Sequence, residues 1–113
     1  MDKRLASLLG LCQKAGKLVS GETACEKALQ GCTARLIIVS DDASANTKKK
    51  FINKSFYYKV PCCTAFTRDE LSGAIGKSNR ATLAIVEAGF AQRIEEMLKR
   101  TDGVEFSEQQ GEE

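Results

Sequence analysis

The chain contains no histidine, no tryptophan and a single proline, and no apolar run in it approaches the roughly 20 residues that span a bilayer. Without histidine there is no imidazole to serve as a base near neutral pH, and the common zinc sites built on that ligand are lost. The five cysteines, Cys12, Cys25, Cys32, Cys62 and Cys63, are odd in number and show no Cys-x-x-Cys spacing. They read as reduced thiols used as small apolar side chains, with no disulfide and no metal. A glycine-rich nucleotide loop is missing too. "GKS" at 76–78 resembles the end of a phosphate-binding loop, but the preceding glycine is Gly73 where position 71 is required, and the segment leads from a helix to a strand. No nucleophile stands beside a base. The expectation is a non-enzymatic protein without a cofactor.

What is present describes one domain with a divided charge. Residues 1–100 carry all 17 Lys and Arg against ten acids, whereas residues 101–113 carry Asp102, Glu105, Glu108, Glu112 and Glu113 and no base. The first part is read as a folded basic domain and the second as a disordered acidic tail with little to bury. A basic compact domain makes nucleic acid the first partner to consider. The N-terminal "MDKRLASLLGLCQKAGK" is not read as a signal peptide, because Cys12, Gln13 and Lys14 cut its apolar region short and its leucines are helically spaced. A cytoplasmic monomer with no membrane association is expected.

Periodicity divides residues 1–100 into helices and strands in alternation. Leu5, Leu8, Leu9 and Cys12 mark a helix of about 12 to 14 residues that stops at Gly16. "KLVS" is a short strand. Ala24, Cys25, Ala28 and Leu29 stripe a second helix opened at Ser20 or Gly21 and closed at Gly31. "ARLIIVSDD" is a strand buried on both faces. A third helix runs from Ser44 to about Tyr58, with Phe51, Ile52, Ser55, Phe56 and Tyr58 inward and Lys48, Lys49 and Lys50 largely outward. "VPCCTAF" is the third strand, and Thr67 to Glu70 is a capping box opening a short helix that ends at Gly76. "ATLAIVE" is the fourth strand, and Phe90, Ile94, Met97 and Leu98 define a last helix with Glu95/Lys99 and Glu96/Arg100 pairs. Such alternation implies a three-layer αβα sandwich on a mixed four-stranded sheet.

The stretch "VSGETACEKALQGC" at 19–32 raises the question of function. A helix N-terminus presents unpaired N–H groups and about half a positive charge, and Gly21 has no side chain to keep an anionic partner away. Thr23 and Lys27 share one face, opposite the alanine and cysteine stripe. On its own this is also the form of an ordinary strand-to-helix turn, with Glu22 and Glu26 complementing the dipole.

Together, "GETACEKALQGCTARLIIVSDDAS" and "KVPCCTAFTRDELSGAIGKSNRATLAIV" are similar to a ribosomal-protein superfamily. Its archaeal and eukaryotic members are called L-seven-A-e and L-thirty-e, and the likeness is greatest to its small bacterial YlxQ-like members. The likeness covers nearly all of residues 3–100. It implies an RNA-binding ribonucleoprotein component, ribosome-associated, that recognises kink-turn RNA, a helix bent sharply at tandem sheared G·A pairs. By position, the resemblance assigns Gly21, Glu22, Thr23 and Lys27 to the G·A pairs and adjoining phosphates, and Lys77, Ser78, Asn79 and Arg80 to a second contact. Two positions depart from the family's binders, which have asparagine where Thr23 stands and glutamate where Ala24 stands. The "KSNR" tip is polar and cationic where the family's loop is usually apolar, which suits phosphates better than base stacking.

Two other readings compete. Asp41 and Asp42, at a strand end, are placed as the acids of a receiver-like phosphorylation module would be, with Lys59 or Lys77 as the cation; a turn capped by Ser44 explains the same residues. The other is a protein-interaction adaptor on the same fold.

Overall fold

Alternating helices and strands run through residues 1–107, the span that the computed structural model describes. In order they are α1 (Lys3–Lys14), β1 (Leu18–Ser20), α2 (Glu22–Gln30), β2 (Leu36–Val39), α3 (Ala45–Tyr58), β3 (Cys62–Thr64), α4 (Arg68–Ala74), β4 (Thr82–Ile85), α5 (Ala88–Lys99) and β5 (Glu105–Phe106). The sheet order is β1-β4-β2-β3-β5. Only β2 and β3 are parallel; β4 is antiparallel to both β1 and β2, and β5 is antiparallel to β3.

The period of two in β2 sets the layers. Leu36 and Ile38 face a core formed with Leu5 and Leu9 of α1, Leu71 of α4 and Ile94 and Leu98 of α5. Ile37 and Val39 face the other way, onto Cys25 and Leu29 of α2 and Phe51 of α3. The result is a three-layer αβα sandwich, in which burying Phe51 alone is worth about 2–3 kcal/mol. Gly10 lets α1 meet α4: a Cβ there would lie 3.0 Å from the Ala74 carbonyl oxygen.

The expectations need correction at two places in the chain, the first of them near its end. The sheet has five strands, and the stretch from 101 onward read as a tail begins with ordered structure. β3 would otherwise be an edge with unpaired backbone groups. Instead Cys63 pairs with Phe106 and Thr64 with Glu105, and the Ser107 N–H donates to the Cys62 carbonyl at 2.8 Å. Phe106 is half-buried against the α1/α4/α5 core, and Lys99 Nζ stands 5.9 Å from its ring centroid. Two residues are too few to show a strand period, so sequence patterning passes over them. Residues 108–113, the remainder of the expected tail, lie outside the described residues.

The second correction concerns α3. Phe56 is 45% exposed, not inward. It follows Phe51 by five positions, which carries it about 140° around the helix, away from the core face. Tyr57, at 76%, is more exposed still, while Tyr58 packs partly against the core and meets it edge-on at 4.9 Å.

Four thiols are buried and Cys32 is exposed. Burial pushes Cys12 and Cys62 up to about 11 and Cys25 up to about 12, and raises Cys63 as well. A thiol reagent at neutral pH should therefore label one cysteine, Cys32, in the native chain and all five in denaturant, counted by mass spectrometry. Ending the chain at Arg100 should lower the melting temperature by at least about 4 °C, because it removes the β5 ladder and the Phe106 contact, worth roughly 1 kcal/mol or more. Phe106→Ala should reproduce a large share of that loss in the same thermal scan.

Candidate nucleic-acid interface

Side chains cap four of the five helices among the described residues. Asp2, Ser44, Thr67 and Glu87 accept from first-turn N–H groups of α1, α3, α4 and α5, and Thr67 and Glu70 complete the expected capping box. The start of α2 is different: its N-cap is Gly21, and no side chain bonds to its first turn. The N–H groups of Glu22, Thr23 and Ala24 thus stand open at the positive end of a nine-residue helix. Gly21 adopts φ 93, where a residue with a Cβ is strained, and the space its Cβ would enter holds no protein atom within 4 Å.

The sheet brings a second segment to this opening. β1 runs antiparallel to β4 with Ser20 opposite Leu83, so the end of one strand lies beside the beginning of the other. The Gly21 N–H donates to the Thr82 carbonyl at 2.9 Å. The loop before β4 consequently stands next to the α2 start. It is held by Ser72, whose hydroxyl accepts from the Arg80 N–H at 2.7 Å and donates to the Arg80 carbonyl at 3.2 Å. Asn79 sits in the left-handed region at φ 59, which asparagine tolerates, and Arg68 Nη1 donates to its Oδ1 at 3.4 Å. Arg80 joins the two segments directly, because its Nε donates to Ser20 Oγ at 3.0 Å. The start of α2 and the 77–80 loop therefore meet at one edge, with Thr23, Lys77, Ser78 and Asn79 exposed, whereas Lys27, also exposed, lies in the last turn of α2, about 9 Å along the helix from Gly21. Neither Lys27 nor Lys77 makes an ion pair among the described residues.

Glu22 behaves differently from its neighbours. Its carboxylate accepts from Lys50 Nζ at 2.7 Å and from Thr47 Oγ1 at 3.0 Å, and the same ammonium lies 3.1 Å from Glu26. Lys50 therefore does not belong with the outward lysine cluster; it neutralises two carboxylates at the mouth of α2. The Lys50 and Thr47 hydrogen bonds hold the Glu22 carboxyl below its ordinary value of 4.5. Lys50, Thr47, Ser20 and Ser72 escape sequence reasoning because each acts through a partner distant in the chain. Nothing local marks them.

Asp41 and Asp42 end β2 close to the same edge. Asp42 Oδ1 accepts from the Arg68 N–H at 3.0 Å, and the Asp41 N–H donates to the Phe66 carbonyl at 2.7 Å. Lys59 caps the far end of α3, about 20 Å along that helix. The Asp42 carboxylate thus ties this turn to the start of α4, and Asp41 contributes through its backbone. No helix of the described residues is long and apolar enough to cross a membrane, and no cluster of potential metal ligands occurs among them.

The αβα sandwich is that of a ribosomal-protein family: the chain belongs to the Ribosomal protein L7Ae/L30e/S12e/Gadd45 family, whose model matches residues 3–95. Within it, the chain is 39% identical over 97 residues to the RNA-binding protein YlxQ of Enterococcus faecium, covering 86% of this chain and 93% of that one. It is 41% identical over 91 residues to the RNA-binding protein YlxQ of Bacillus subtilis (strain 168), covering 80% and 91%. A solved structure of a protein with unknown function from Bacillus halodurans C superposes with a TM-score of 0.81 at 35% identity, covering 85% of this chain and 97% of that one.

The Glu22–Lys50 contact has a defined pH signature. A carboxyl held below its ordinary value adds stability that is complete above 4.5 and is lost as the pH falls through its lowered value. Lys50→Met should return the Glu22 carboxyl toward its ordinary titration in a carbon-detected NMR experiment. Because both groups lie near the surface, it should change the neutral-pH stability by less than about 1 kcal/mol.

Proposed function

We propose that this chain is a non-catalytic RNA-binding protein that recognises kink-turn RNA, in the cytoplasm and in association with the ribosome. The observation that carries the reading is the α2 start, alone among the helices of the described residues in lacking a side-chain cap and joined to the 77–80 loop through Arg80 and Ser20. Open amides at a positive helix end suit phosphates and acceptor-rich base edges. The family and the two YlxQ relatives named as RNA-binding proteins support it.

The proposed division of labour follows from position. Gly21 admits the RNA backbone, Thr23 offers a hydroxyl to a base edge in the first turn, and Lys27 meets a phosphate one turn on. Lys77, Ser78 and Asn79 take the second strand of the kink, while Arg80 mainly holds their loop against β1. Glu22 makes its contribution, in this reading, through whatever carboxylate surface Lys50 leaves open. With Ala24 in place of a longer polar residue, this interface relies more on phosphates than on guanine edges.

Binding titrations at two salt concentrations test the proposal, using a kink-turn RNA and a control whose G·A pairs are replaced by Watson–Crick pairs. The wild-type chain should prefer the kinked RNA, and Thr23→Ala or Lys27→Ala should cost on the order of 1–3 kcal/mol on it and much less on the control. Replacing Lys48 and Lys49 together should weaken both RNAs alike and flatten the salt dependence. Thr23→Asn with Ala24→Glu should tighten kink-turn binding. Equal affinity of the wild type for both RNAs would overturn the reading.

A further inference from the structure

Across the sheet from α2, the outer faces of α1 and α5 enclose a groove of about 700 Å³. Lys3 and Arg4 line it from α1, and Arg93 and Arg100 from α5 and its end. None of these four cations makes an ion pair among the described residues. The one acid in the wall, Asp2, uses its carboxylate to accept from the Arg4 N–H at 2.8 Å. Between the cations lie Leu8, Leu11 and Met97, with the hydroxyls of Ser7 and Thr101 beside this apolar strip. Leu11 is 54% exposed, and among the described residues it is the one large hydrophobic outside α3 that is so exposed.

We infer that this groove docks an acidic amphipathic helix of a partner protein. Arg4, Leu8 and Leu11 on α1 and Arg93, Met97 and Arg100 on α5 follow helical spacing along a slot of about 10 Å, two turns of a third helix. Apolar residues at i, i+3, i+4 and i+7 would cover Leu11 and Met97, and glutamates or aspartates flanking them would meet the cations on either wall. RNA fits less well. A phosphate backbone would satisfy the cations but leave the apolar strip in water. A second copy of this chain fits worse, because symmetric pairing would bring like charges face to face. The groove and the α2 edge lie on opposite helix layers, so one molecule can hold an RNA and a protein at once. The inference does not depend on which RNA, if any, the α2 edge binds.

The probe is a fluorescein-labelled synthetic helical peptide with leucines at i, i+3, i+4 and i+7 and glutamates flanking them, compared by fluorescence anisotropy with a scrambled peptide of the same composition. The full chain should bind the patterned peptide with a dissociation constant on the order of 10 μM and the scrambled one at least tenfold more weakly. Arg93→Glu with Arg100→Glu should weaken the patterned peptide at least tenfold, and Leu11→Ser severalfold, with unchanged circular dichroism. Kink-turn RNA affinity should stay within about twofold for both variants, since distant sites act independently. Four results would each overturn the inference: no peptide binding, or equal binding of the scrambled peptide; a larger loss for RNA than for peptide in the charge reversals, which would make the groove an RNA surface; a concentration-dependent dimer abolished by the same reversals; or much tighter peptide binding after deletion of residues 108–113, which would make the chain's own end the occupant.

Discussion

The arrangement depends on one strand, β4, and its antiparallel pairing with β1 on one side and β2 on the other. Both neighbours are antiparallel to it, so their carboxyl ends converge on its beginning, with Gly21 hydrogen-bonded to Thr82 and the Ser40 N–H to the Ala81 carbonyl. The α2 start, the 76–81 loop and the Asp41–Asp42 turn are gathered at one edge for that reason alone. Had β4 been parallel to β2, its entry loop would lie at the opposite end of the sheet, and the open amides of α2 would face solvent without a second contact surface.

The charges at that edge are arranged as much by removal as by addition. Glu22 and Glu26 suit the dipole of α2 but oppose a polyanion, and Lys50 screens both. Thr47 adds a hydrogen bond from the same face of α3, so the packing of α3 on α2 also sets the local potential. Among the described residues Lys27 on the helix and Lys77 on the loop make no ion pair, and neither do Asp41 and Asp42 at the same edge. Exposed pairs of this kind add little to stability. Their effect is on the electrostatic potential at this edge.

The α1/α4/α5 layer is built differently. It carries the larger core, accepts Phe106 at its margin, and leaves a basic, partly apolar groove on its outside. β5 closes the β3 edge, where Cys62 and Cys63 would otherwise line an open ladder. The thiols beneath are raised by burial, so the interior cysteines act as packing groups and only Cys32 meets solvent.

Local order determined much of the molecule. The 3.6-residue spacing of Leu5, Leu8, Leu9 and Cys12, the β-branched run of β2, and the caps at Ser44 and Thr67 specify their elements within a few residues of the chain, because hydrogen bonds in helices and caps are short-range. The sequence also put the opening of α2 at Ser20 or Gly21, but by itself could not tell that start from an ordinary strand-to-helix turn; the absence of a side-chain cap there is a structural finding. Tertiary structure decided the rest. β5 exists because an unpaired β3 edge is available to two residues whose own pattern is too short to declare a strand. Phe56 faces outward because the core fixes the rotation of α3 through Phe51, and 3.6 residues per turn then place position 56 away from it. Lys50 became the counter-charge of Glu22, 28 residues earlier in the chain, only when α3 packed beside α2. Pairings between residues distant in the chain depend on the relative placement of whole elements, and side-chain chemistry read along the sequence does not encode that distance.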